Sequence, residues 1–367
     1  VWSHATSYRA VEGDGSGLAP GTRWRISCQG ESDGMGTFAH EFGHIKGIAD
    51  NYCNSFQRDP ILRTYVGNLE LMGAGDKNGP YGTHARYIMP STVGDVGPCH
   101  HVARLKIKQG FYDADQYTRV DEAYLINNGP VFETIVARTS PAGKTNKMAT
   151  GYGVNSLLID LDHDNTPIVA QTSPDYFWAD IATYGSYRPN NKYYNVGYYQ
   201  FYGVEVLQRV GCESFVTDSG VMITLNREID NESSPWTWII DSHPAPMDVI
   251  DFYRPNGDPQ VMVEGKNEQL TDSLFHMGAG KTAQPTHGSL NGAAKSDEVV
   301  SEYIDTDNHL HFYILDKMFD DNGVLSYRVA VHSTEFDGSY SDQMSVSLGD
   351  SVDAMNGKVA SQEIIIT

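Results

Sequence analysis

The chain has 367 residues, enough for two or three packed units, each with its own core. Its 47 Asp and Glu against 26 Lys and Arg give a formal charge of -21, which excludes long-range attraction to nucleic acid phosphates or an anionic membrane surface and makes cations the natural partners. No apolar run approaches the ~20 residues of a membrane span, while 36 Gly and 22 Tyr point to strands and turns.

In chain order, residues 1–35 alternate short pieces around Trp24 and Ile26 with Gly-rich turns at 13–17, a strand-and-loop pattern. The chain starts at Val1 rather than Met, and an upstream part removed by processing is expected. Phe38, Phe42 and Ile45 recur at helical spacing from Gly36 to about Lys46, and Gly47 is a natural stop. Residues 51–110 are loop-rich, with a short helix around His100–Lys108. Beyond 111, Ser156–Asp160, Tyr202–Val210, Gly220–Leu225, Thr237–Ile240, Leu310–Leu315 and Leu325–Val331 are β-branched or aromatic runs between turn residues, the pattern of one or two β-sandwiches. The polar stretch 278–300 reads as a linker or surface loop. Cys28, Cys53, Cys99 and Cys212 permit three pairings, and both disulfides and free thiols fit.

The chemistry concentrates in HEFGHIKGIAD. Residues four apart on a helix share a face, so His40 and His44 can each direct a ring nitrogen at one Zn²⁺. Glu41 beside them can hold a water and take its proton while zinc lowers that water's pKa and polarises the scissile carbonyl. Two histidines leave zinc short of a third protein ligand; Gly47 lets the chain turn back, and Asp50 supplies one. Asp160, Asp162 and Asp164 place three carboxylates within five residues, which suits Ca²⁺ but equally a solvated acidic turn. Tyr81 and His84, with Arg86 and Tyr87, are the local pool for a group that stabilises an oxyanion. His100 and His101 are adjacent and do not converge on one point of a helix.

The run HEFGHIKGIADNYC resembles the peptidase M6 family, the immune inhibitor A-like secreted zinc metallopeptidases, within the broader gluzincin- and metzincin-like kind. Val1-Trp2-Ser3-His4 is similar to the stretch before the zinc helix in that family, and Gly67-Asn68-Leu69-Glu70-Leu71-Met72-Gly73 to its Met-containing turn. Val204–Arg209, Asp218–Val221, Ile240–Pro244 and His309–Tyr313 resemble parts of its β-rich region. The resemblance implies an α+β zincin-like subdomain over 1–110 followed by a β-sandwich over 111–270 and a β-rich region over 271–367, part of the same sandwich or separate. It implies a secreted or cell-surface endopeptidase acting on proteins or peptides, with Glu41 as general base. In relatives the third ligand can also be an acidic residue at the position of Cys53, so Asp50 and Cys53 are rivals here, with Cys53 open to pairing with Cys28. Only 39 residues precede His40, so most of the upper half of such a catalytic domain is expected elsewhere: cleaved and still associated, outside these residues, or lost in a remnant that no longer hydrolyses peptides well. Two other readings stand beside this one: a non-catalytic surface or assembly protein that keeps the zinc site, and a binding sandwich using Tyr184–Tyr202 as an aromatic platform.

Overall fold

A computed structural model describes residues 4–13, 15, 17–29, 33–52, 66–79, 82–83, 97–144, 147–148, 151–162, 200–228, 236–243, 249–253, 259–262, 270, 273–277, 299–306, 308–336 and 338. The protein is β-rich, with few helices. In order the elements are β1 (His4–Arg9), β2 (Arg23–Cys28), α1 (Met35–Ile45), the short strands β3 (Asn78–Gly79) and β4 (Gly82–Thr83), α2 (Ala103–Lys108), β5 (Tyr117–Asp121), α3 (Glu122–Asn128) and β6 (Val131–Val136). There follow β7 (Lys147–Met148), β8 (Gly151–Tyr152), β9 (Ser156–Asp160), β10 (Phe201–Leu207), β11 (Gly220–Asn226), β12 (Thr237–Ile239), β13 (Val249–Tyr253), β14 (Pro259–Met262), β15 (Glu302–Asp305), β16 (Leu310–Phe319) and β17 (Leu325–Ser333). Each of the six runs read as strands beyond residue 111 contains a strand. Among the described residues no helix is long and apolar enough to cross a membrane.

Two sheets make the body. One has the order β12-β11-β10-β9-β5, antiparallel except for the parallel β5–β9 pair. The other is antiparallel with the order β15-β16-β17-β6. Alternation along β16 buries Leu310, Phe312 and Ile314, whereas all of β10 and β11 is buried, as expected of strands covered on both faces. The sheets share one apolar core in which the Tyr202 ring meets Phe312 edge-on at 5.1 Å, and the Tyr202 hydroxyl donates to Asp305. Tyr202 is thus core, not part of an aromatic platform; residues 184–199 of that run lie outside the described residues.

At Ala137 the chain passes from one sheet to the other. The Ala137 amide donates to Leu325 at 2.9 Å, and the next amide, of Arg138, donates to Val206 at 2.9 Å, where β9 has ended and β10 has a free edge. Asn155 fastens this corner, donating to Ser140 at 2.7 Å and accepting from the Ala142 amide at 3.0 Å.

In front of the sheets lie the β1–β2 hairpin and α1, over a double turn spanning 67–77. The buried face of α1 is made of small and polar residues: Gly36, Thr37, His40, Glu41 and Gly43. Gly36 is demanded by contact, since a Cβ there would fall 1.7 Å from the Asp76 carbonyl oxygen. Met35, Phe38 and Phe42 point outward and are 59%, 58% and 48% exposed, so the apolar stripe of this helix faces away from the core.

Candidate metal centre

Gly47, at φ 90°, ends α1 in the left-handed conformation, with its amide on the His44 carbonyl at 2.9 Å and the Ile48 amide on Gly43 at 3.1 Å. The reversal carries Asp50 back beneath the helix. Asp50 Oδ1 stands 3.0 Å from His40 Nε2 and 3.2 Å from His44 Nε2. Among the described residues this is the one group of three or more His, Cys, Asp or Glu side chains whose candidate ligand atoms converge, all within 4.8 Å of one another. Donors about 2 Å from a tetrahedral zinc stand roughly 3.3 Å apart, and the two carboxylate–imidazole distances match that spacing.

The second ring nitrogens determine what the first can do. His40 Nδ1 lies 3.0 Å from the Leu71 carbonyl, and His44 Nδ1 lies 2.8 Å from the Ile48 carbonyl. A carbonyl only accepts, so both Nδ1 atoms carry hydrogen and both Nε2 atoms present lone pairs in the neutral rings. Two such lone pairs aimed at one carboxylate oxygen need either a proton or a cation between them. Burial alone would lower the His40 pKa, but the Asp50 hydrogen bond and the charges of Asp76 and Asp50 outweigh it and raise it from 6.5 to about 9. His44 is raised as well, burial again being overcome by Asp50. Asp50, despite burial, is held below the ordinary carboxylate range by the two rings.

Protons and metal therefore compete. Zinc affinity is expected to rise about tenfold or more per pH unit up to about pH 9 and then flatten, with proton release on binding, which titration calorimetry in buffers of different ionisation enthalpy measures. The metal-free chain should show the opposite trend. With its folded pKa raised, His40 contributes stability that is complete below 6.5 and lost as pH rises through about 9.

Glu41 is 3% exposed on the buried side of α1. The Tyr52 ring stacks beside His40 with centroids 6.1 Å apart, and Lys77, ion-paired with Asp76 at 2.8 Å, lies 5.9 Å over Tyr52. Below, Glu70 holds the turn that supplies the Leu71 carbonyl: its carboxylate accepts from the amides of Met72 and Gly73 and lies 2.9 Å from His101 Nδ1. Met72 Sδ packs against Gly43, where a Cβ would come within 2.6 Å of it.

The five-stranded sheet supports the other side. Asn51 donates to the Thr237 carbonyl at 2.9 Å and accepts from the amides of Trp236 at 3.1 Å and Thr237 at 3.3 Å, while the Trp236 indole donates to the Asp50 carbonyl at 3.2 Å. Asn51→Ala leaves these buried groups unmatched and should cost about 1–3 kcal/mol in urea unfolding.

A third support is Arg138, whose Nη2 donates to the Leu69 carbonyl at 2.7 Å and whose Nε donates to Glu213 Oε1 at 2.7 Å. Glu213 Oε1 also accepts the His100 amide at 3.0 Å. Burial opposes charge on both partners, yet Glu213 and Glu205 raise the Arg138 pKa, and Arg138 lowers that of Glu213.

His40, His44 and Asp50 are thus brought together, with Glu41 buried on the same helix. Cys53, Tyr81, His84, Arg86, Tyr87 and Asp164 lie outside the described residues. Asp160 accepts a forked contact from Arg119 at 2.8–3.0 Å, and the Asp162 amide donates to Glu122, while the third carboxylate of that trio, Asp164, is among the residues just named. Glu70, Asn51, Arg138 and Glu213 were not singled out as site residues in the sequence. Glu70 lies in the Met turn and Asn51 right after Asp50, next to recognisable motifs, whereas the other two carry no local signal.

A relative in Arthroderma benhamiae named "Putative secreted metallopeptidase" is 33% identical over 330 residues, which is 90% of this chain and 40% of that protein. The chain therefore spans about two fifths of the length of the curated relative it matches. Residues 108–334 match the family model described as ARB_06334_M, middle domain, a stretch that holds both large sheets but begins after α1. On that match, which extends over more than half of its residues, the chain belongs to the ARB_06334_M middle-domain family.

Proposed function

We propose that this chain is part of a secreted zinc-dependent endopeptidase resembling the peptidase M6 family, with His40, His44 and Asp50 as metal ligands and Glu41 as general base. The observation that carries the reading is the pair of Nε2 lone pairs converging on Asp50 Oδ1, each backed by a carbonyl on Nδ1. The name of the Arthroderma benhamiae relative supports the activity and the secretion.

Zinc bound there supplies Lewis acidity toward the scissile carbonyl and lowers the pKa of the attacking water. Glu41 takes that water's proton and delivers it to the leaving amine. Leu71 and Ile48 keep the two imidazoles in the Nδ1–H tautomer, and the buried floor of Asp50, Asn51 and Trp236 excludes competing water. Residues 1–110 act as a zincin-like subdomain, and 111–270 and 271–367 as parts of one sandwich, a reading supported by the β6–β17 ladder that joins them. A further part of the longer protein covers α1; the outward Met35, Phe38 and Phe42 support this.

The test is metal analysis of the purified protein with digestion of an unfolded protein substrate. One zinc per chain is expected, with cleavage stopped by a chelator and restored by zinc. The same two-histidine, one-carboxylate set suits Fe(II); iron in place of zinc, or bound zinc without cleavage, overturns the peptidase reading, the latter in favour of a non-catalytic surface protein.

A further inference from the structure

We propose that the buried Arg138–Glu213 pair of the matched middle-domain region is a positioning device for the metal centre, holding the turn whose Leu71 carbonyl orients His40. The proposal rests on the reading of the centre as a zinc site.

The connection is short and continuous. Arg138 Nη2 donates to the Leu69 carbonyl at 2.7 Å; two residues on, the Leu71 carbonyl accepts from His40 Nδ1 at 3.0 Å. Between them Glu70 clamps the amides of Met72 and Gly73, so the turn moves as one piece. Arg138 is itself immobilised. Its backbone amide is on Val206 at the corner where the chain changes sheets, and Glu213 takes both its Nε and its Nη2, the latter at 2.6 Å. A guanidinium is needed because one planar group must serve a carboxylate and a carbonyl in different directions at once. A purely stabilising buried ion pair has no need of the third partner, and apolar replacement of both members of such a pair is often neutral or favourable.

The test uses three variants of the full chain: Arg138→Met, Arg138→Lys and the double variant Arg138→Met/Glu213→Gln. Three quantities are measured: urea stability of the metal-free form, zinc affinity by chelator competition, and the ring-nitrogen NMR shifts of His40 in the metal-free form. Arg138→Met should lose stability and about 10–100-fold in zinc affinity. Arg138→Lys should recover less than half of the zinc loss on a logarithmic scale. In the double variant Glu213 is no longer an unpaired charge, and the buried Glu205, 3.9 Å from Arg138 Nη1, keeps Lys106 as its counter-charge, so most of the stability should return while zinc affinity stays low and the His40 Nδ1–H signature is weakened. If zinc affinity returns together with stability, the pair is merely structural and the proposal falls. If the wild type binds no zinc, the zinc reading fails by itself, and the His40 shifts still decide this proposal: identical shifts in wild type and double variant overturn it.

Discussion

Glu41→Gln is expected to lower kcat for peptide cleavage by about 10²–10⁴-fold while zinc stays bound at one per chain. Glutamine keeps the size and most of the hydrogen bonding of a side chain that is almost fully buried, so α1 should not be disturbed. Glu41 is not among the converging donors, so affinity for the metal should be nearly unchanged. Paired measurements of kcat and metal content separate the roles. Cleavage retained by Glu41→Gln would remove the general base from the mechanism, and lost zinc would make Glu41 a support of the site.

Asp50→Asn should act on the metal itself. It removes the only anionic donor of the set, and zinc affinity should fall by more than the roughly 100-fold typical of losing an outer hydrogen-bonding partner. The same substitution removes the Asp50 hydrogen bond and charge that raise the His40 pKa, leaving only the Asp76 charge to oppose burial; His40 should then titrate well below about 9. The pH dependence of zinc binding would flatten across the neutral range. Histidine NMR of the metal-free variant reads this without any activity. Should Cys53→Ser abolish zinc binding where Asp50→Asn does not, the third ligand is Cys53.

How much of this could be read beforehand follows from how local each feature is. The helix, its stop at Gly47 and the return of Asp50 lie within 16 residues and obey short-range rules, and so do the strands beyond 111. The orientation of α1 is different. Its apolar spacing marks a stripe at Phe38, Phe42 and Ile45, yet Phe38 and Phe42 face out and Ile45 is only partly buried, because close approach of the Asp76 carbonyl and of Met72 selects the glycine side for burial. Pairing of β6 with β17 brings together strands almost 200 residues apart, with no feature of either strand naming its partner. Arg138 and Glu213 look like ordinary surface charges in sequence and become legible only when the sheet corner and the Met turn meet.

The reach of Asn51 has a consequence in time. Its hydrogen bonds to Thr237 span 186 residues, so at ribosomal speeds of roughly 5–20 residues per second the metal-binding segment is made about ten to forty seconds before its floor exists. During that interval the ligands are present in the nascent chain, but the strand that anchors them is not. Chain order alone thus delays completion of the centre until its supporting sheet has been synthesised.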